Sequence, residues 1–164
     1  MTLRYNVKEF TTRYWWMALS VLIKGHNNTS YKGICMAQIK IYGLRETLDP
    51  IKAALSDVIH ACVVEALKFP TNKRAHRFFP LERDNFYTPE GRTDRYVIIE
   101  IMMIEGRAKD TKKQLIRLLF ERIQAEIGIS HQDIEIAITE SVKSNWGFRG
   151  KPGDEAEINY TIEV

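Results

Sequence analysis

From Gln38 to Gly43 apolar and polar residues alternate, with Ile39 and Ile41 on one face. A period of two predicts a short, half-buried strand. Asp49-Pro50 follows, and Asp is a preferred helix N-cap while Pro fits the first helical position. Apolar residues then recur at Ile51, Ala54, Leu55, Val58, Ile59, Cys62, Val63, Ala66 and Leu67. Steps of three and four draw one apolar stripe along a helix. The helix is expected to stop near Phe69-Pro70, because a residue before proline is pushed out of the α region.

A second strand is predicted over Ala75–Leu81, then an irregular connection over Asp84–Asp94. Arg95–Ile104 (RYVIIEIMMI) is the most apolar strand and reads as central. Asp110 or Thr111 is the expected cap of a second helix, with Leu115, Leu118, Leu119, Ile123 and Ile127 inside and Gly128 at its end. Asp133–Thr139 alternates strictly, Asn145–Glu155 is a glycine-rich loop, and Ile158, Tyr160, Ile162 and Val164 mark a last strand.

The order is β-α-β, β-α-β and a terminal strand. The expected class is therefore α/β, a duplicated β-α-β sheet with both helices on one face. That arrangement leaves the other sheet face open. Another subunit of the same protein is the simplest cover for it.

The first 35 residues stand outside this pattern. Tyr14–Ile23 is an apolar run of about ten residues, against roughly 20 for a membrane span. Arg4, Lys8 and Arg13 precede it as in a secretory signal, but Lys24-Gly-His-Asn-Asn-Thr-Ser follows in place of a small-x-small cleavage site. No membrane partner is expected. An over-extended start explains the segment better. Lys32-Gly33 implies a purine-rich AAR-GGN, and two codons separate it from Met36, the layout of a bacterial ribosome-binding site. The expected division is an extension over 1–35 and a domain over 36–164. Translation from Met36, followed by methionine removal, would expose the α-amine of Ala37.

Charge sharpens that boundary. The chain carries +3 formally, yet residues 1–36 hold five basic residues and one acidic, leaving 19 basic and 20 acidic for the rest. A nearly neutral domain has no electrostatic footprint for nucleic acid. Two cysteines, Cys35 and Cys62, with only Cys62 inside the domain, give no disulfide framework. A reducing, cytoplasmic setting is expected.

Phosphate-loop, dinucleotide, nucleophile-elbow and zinc-protease signatures are absent from the sequence. His26, His60, His76 and His131 show no metal-ligand spacing, so no metal is expected. His60 reads as a helix-flank residue. Three features remain. Arg107 follows the central strand in Glu105-Gly-Arg, at the carboxyl end where α/β sheets favour ligands. Its fork suits a carboxylate, and a solvated helix cap is the other reading. Arg77, inside the mostly apolar His76-Arg-Phe-Phe, needs either a carboxylate side chain or a ligand. Trp146 and Phe148, in Asn145-Trp-Gly-Phe-Arg-Gly, either wall a pocket or plug the open face of an oligomer.

Together, Ile39-Lys-Ile-Tyr-Gly-Leu, Arg77-Phe-Phe-Pro-Leu, Tyr96-Val-Ile-Ile-Glu-Ile, Glu105-Gly-Arg, Thr111-Lys-Lys-Gln-Leu-Ile-Arg-Leu-Leu-Phe and Asn145-Trp-Gly-Phe-Arg-Gly-Lys-Pro-Gly-Asp-Glu resemble the tautomerase superfamily. The malonate semialdehyde decarboxylase-like branch is the nearest, and the resemblance runs from Ala37 to Val164. It implies a homotrimer without cofactor or metal. It also implies an N-terminal proline as acid or base, and arginines that bind the carboxylate of a 2-oxo acid, an enol acid or a 3-oxo acid. Arg107 falls on a carboxylate-binding position, and Trp146 and Phe148 fall on pocket aromatics. The proline position is Ala37. The decarboxylase aspartate position reads Lys73, and a second arginine position reads Glu105.

An alanine α-amine titrates at about 7.7 to 8.0, near neutrality, and burial favours its neutral form further. Ala37 as a chain end thus retains the basicity for proton transfer. As an interior residue it is an amide and does not. Two readings follow. One is an isomerase that moves a proton in a small 2-oxo or enol acid, with Ala37 and Arg107 catalytic and Arg77, Trp146 and Phe148 binding substrate. The other is a non-catalytic trimeric module of the same fold.

Overall fold

A computed structural model describes residues 37–156. Strand β1 (Ala37–Leu44) passes into one helical turn (Arg45–Leu48) and then helix α1 (Lys52–Leu67). Strand β2 (His76–Leu81) closes the first unit. Strand β3 (Val97–Ile104), helix α2 (Lys109–Arg122) with a π-type turn (Ile123–Ile127), and strand β4 (Ile134–Ser141) form the second. Two short strands, β5 (Gly147–Phe148) and β6 (Lys151–Pro152), pair as a hairpin. The expected strand over 158–164 lies outside the described residues, as does the segment before Ala37.

The sheet order is β2-β1-β3-β4. Each β-α-β unit contributes a parallel pair, β1 with β2 and β3 with β4, and the units meet along antiparallel β1 and β3. This is the α+β form of the expected duplication. Alternation sorts the faces. Ala37, Ile39 and Ile41 of β1 and Val97, Ile99, Ile101 and Met103 of β3 are buried beneath the helices. Leu55, Ile59, Cys62, Val63 and Leu67 of α1 and Leu115 and Leu119 of α2 join them in one core, so both helices cover the same face. The inner stripe expected for α2 holds, with Leu118 and Ile127 packed at the core margin.

Helix starts differ from expectation. Residues 45–48 first make their own turn, closed by the Asp49 amide donating to the Arg45 carbonyl at 3.1 Å. The chain then redirects, Ile51 occupies the cap position of α1, and Asp49 pairs with Lys52 instead. Likewise α2 begins after Ala108, without a side-chain cap from Asp110 or Thr111. Its end matches expectation: Gly128 adopts φ 74°, a left-handed conformation that glycine takes without a Cβ clash. The late glycine-rich stretch is the β5–β6 hairpin, which turns through Arg149 (φ 50°) and Gly150 (φ 80°).

The opposite sheet face is half polar. Lys40 pairs with Glu100 at 3.7 Å, the Tyr42 hydroxyl donates to Glu100 at 3.0 Å, and Tyr42 stacks on Phe79. Met102 is 40% exposed on it. Among the described residues, no helix is long and apolar enough to cross a membrane.

Candidate active site

Strand directions gather the chemistry at one end of the sheet. Because β1 runs parallel to β2 and antiparallel to β3, the start of β1 lies beside the start of β2 and the end of β3. The end of β4 lies there too. Ala37 opens β1, is 3% exposed, and faces Met103 across the ladder.

Arg107 reaches this end by a sharp turn. Gly106 has φ 128°, a backbone region that L side chains avoid, and it swings the chain from β3 toward α2. The Arg107 side chain is 4% exposed, and its Nη1 donates to the Ile104 carbonyl at 2.6 Å. The direction of that carbonyl follows from the ladder. The Glu105 amide donates toward β4, to Ser141, so the preceding residue's carbonyl turns toward β1. The guanidinium therefore sits off the end of β3 on the side where β1 begins. Its Nε and Nη2 are buried with no hydrogen-bond partner among the described residues. Leaving two N–H groups of a buried cation unmet costs several kcal/mol. A carboxylate taken side-on would meet both.

The aromatic pair is tied to the same place. Ser141 is the register partner of Ile104, and its Oγ accepts from Trp146 Nε1 at 2.9 Å. Trp146 is 8% exposed and stacks on Phe148 with centroids 5.6 Å apart. The Trp146 amide donates to Lys143, and its carbonyl accepts from Gly153 at 2.7 Å, which pins the indole at its backbone as well.

Arg77 stands apart. It is exposed on the open sheet face, and its Nη1 donates to Gln38 Oε1 at 2.9 Å. In place of a carboxylate side chain, a neutral amide on the adjacent strand takes one N–H. Arg77 is thus at the correct end of the sheet, with its head on a different face from the core.

Sequence reasoning missed a supporting pair. Lys112 in the first turn of α2 bonds Glu140 of β4. Glu140 is the register partner of Met103, so this pair braces the helix start against the site end of the sheet. A lysine near a helix N-terminus opposes the macrodipole, and that is a legible sign that an acid compensates it. At the start of β2, His76 Nδ1 lies 2.9 Å from Ser56 Oγ. Burial, with help from the charges of Arg74 and His60, pushes its pKa down to about 4. His60 bonds the Thr71 carbonyl through Nε2, the flank role its position implied. Cys62 is a buried free thiol, pushed up to about 11 by burial.

Known proteins bear on this arrangement. Residues 73–149 match a family described as tautomerase enzymes. Probable tautomerase YusQ of Bacillus subtilis (strain 168) is 27% identical over 99 residues, covering 57% of this chain and 78% of that protein. The FG41 malonate semialdehyde decarboxylase, solved with 3-bromopropiolate as inhibitor, superposes with a TM-score of 0.61 at 26% identity, covering 68% of this chain and 88% of that one. The R7 fused 4-OT, solved as an asymmetric trimer, gives a TM-score of 0.64 at 23% identity over 72% of this chain and 97% of that one. Family match, relative and fold agree, and the chain is similar to the tautomerase superfamily.

Proposed function

We propose that this protein is an isomerase that moves a proton between C3 and the C2 oxygen of a small 2-oxo or enol carboxylic acid. The observation that carries the reading is Arg107, a buried cation with Nε and Nη2 open beside the start of β1. In this reading the guanidinium holds the substrate carboxylate through two parallel hydrogen bonds. It also stabilises the negative charge that spreads over the dienolate. The α-amine of Ala37, exposed after initiation at Met36 and methionine removal, is the base. It takes the enol hydroxyl proton and returns it to C3, ending as it began. Trp146 and Phe148 wall the site, and Arg77 lies outside the core as an outer contact. No cofactor is required by this chemistry.

The domain is proposed to span 36–164, cytoplasmic and homotrimeric, with the half-polar sheet face covered by another subunit. The trimeric state of a fused 4-OT of like fold supports that assembly. Intact mass of protein made from the native gene tests the start: a chain beginning at Ala37 is expected, and one retaining residues 1–35 removes the amine. The assay is ketonisation of phenylenolpyruvate with exchange at C3. Turnover that disappears when the N-terminus is selectively acetylated supports the amine as base. A native chain without turnover that gains it on Ala37→Pro favours the non-catalytic module instead.

A further inference from the structure

The end of β4 serves two parts of the site at once. Ser141 is the last residue of β4, and its register partner is Ile104, the last of β3. The Ser141 carbonyl accepts from the Glu105 amide at 3.1 Å, so it holds the chain two residues ahead of Arg107. Beyond that bond come Gly106 and the guanidinium, whose Nη1 returns to the Ile104 carbonyl at 2.6 Å. The Ser141 Oγ meanwhile accepts from Trp146 Nε1 at 2.9 Å. One residue therefore anchors the arginine turn through its backbone and the indole through its side chain.

The two anchors ask different things of the sequence. Any residue at position 141 offers the carbonyl. The indole needs a side-chain acceptor, and a serine hydroxyl supplies one close to the strand. Trp146 is reached through a single tight turn (Lys143–Asn145), closed by the Asn145 amide donating to Val142 and the Trp146 amide donating to Lys143. These bonds place the Trp146 backbone and leave the ring its choice of rotamers. The bond to Ser141 and the stack on Phe148, with the two rings inclined by 16°, settle the ring. Trp146 is buried, so an indole N–H released from Ser141 would have to turn to find another acceptor. Glu140 and Ser141 point to opposite faces of β4, which makes the Lys112–Glu140 pair a separate brace.

We propose that Ser141 is a positioning residue for proton transfer, keeping the Trp146–Phe148 wall at a fixed place relative to the Arg107 fork. The inference rests on the carboxylate role given above to Arg107 and the wall role given to the aromatic pair. Loss of Oγ leaves the fork in place, because the carbonyl that meets Glu105 is kept. The carboxylate is then still held, while the reacting carbons meet a displaced wall. Misplacement of that kind lowers kcat more than it raises KM.

Protein made from the native gene is compared as wild type, Ser141→Ala, Ser141→Thr and Trp146→Phe. The readouts are ketonisation of phenylenolpyruvate and hydrogen exchange of the Trp146 indole N–H, followed by NMR and assigned by its loss in Trp146→Phe. Ser141→Ala should lower kcat about tenfold with KM within about threefold of wild type. It should also speed indole exchange by about tenfold or more, because the N–H loses its acceptor. Ser141→Thr keeps the hydroxyl and should restore both. In the Trp146→Phe background, Ser141→Ala should cost no further activity, since the donor is already gone. If Ser141→Ala does not fold, Ser141→Cys, whose sulfur is a weak acceptor, carries the same expectations. Ketonisation by Ser141→Ala within about twofold of wild type, a loss confined to KM, an unaltered indole exchange rate, or an equal loss in the Trp146→Phe background overturns the inference and leaves the isomerase reading standing. A wild type without ketonisation overturns that reading and this inference with it.

Discussion

Arg107 donates from Nη1 to the Ile104 carbonyl at 2.6 Å, three residues back along its own chain. That single bond fixes the guanidinium at the end of β3 and leaves Nε and Nη2 directed elsewhere. A glycine at φ 128° between them makes the return possible. Gly106→Ala should therefore disturb Arg107 before it disturbs the core. The expected result is a KM for enol acid raised about tenfold, with the unfolding free energy from urea titration lowered by roughly 1–2 kcal/mol of strain.

The Trp146 hairpin offers an independent handle. A Cβ on Gly153 would lie 2.4 Å from the Lys143 carbonyl and 3.1 Å from Trp146. Gly153→Ala should break the bond from the Gly153 amide to the Trp146 carbonyl and loosen the indole. Increased quenching of tryptophan fluorescence by acrylamide checks this, with the far-UV spectrum unchanged.

Lys112 and Glu140 are each about three-quarters buried as side chains. Lys112→Met leaves the Glu140 carboxylate unpaired in the gap between α2 and β4. A loss of about 1–3 kcal/mol is expected in denaturant unfolding. The double variant Lys112→Met, Glu140→Gln should recover part of it.

His76 sets a pH dependence. Its folded pKa of about 4 lies below its ordinary 6.5, so the unfolded chain binds more protons between those values. The stabilisation is complete above pH 6.5 and is lost as pH falls toward 4. Wild-type unfolding free energy should decline across that window, and His76→Asn should flatten the decline.

Much of this site was legible in the sequence, and the reasons are physical. Period-two runs at Ile39, Ile41, Ile134 and Ile136 mark strands because one sheet face is covered by helices and the other is not. Arg107 stood out because a charge follows an apolar strand at its carboxyl end. Register was not legible. Only the antiparallel pairing of Ala37 with Met103 shows that the start of β1 meets the turn before Arg107. Lys73 read as a departure from a family pattern, and its burial depends on the turn from Pro70 that no periodicity encodes. Asp49 misled the reading of α1, because a separate helical turn consumed the chain ahead of it.

The central claim is that Arg107 holds a carboxylate during proton transfer. Ketonisation of phenylenolpyruvate, followed for wild type, Arg107→Lys and Arg107→Ala, tests it most directly. The account predicts that Arg107→Ala lowers kcat/KM by about 100- to 1,000-fold. Arg107→Lys should fall between, since lysine keeps the charge and loses the fork. Arg107→Ala turning over phenylenolpyruvate within about twofold of wild type would contradict the account.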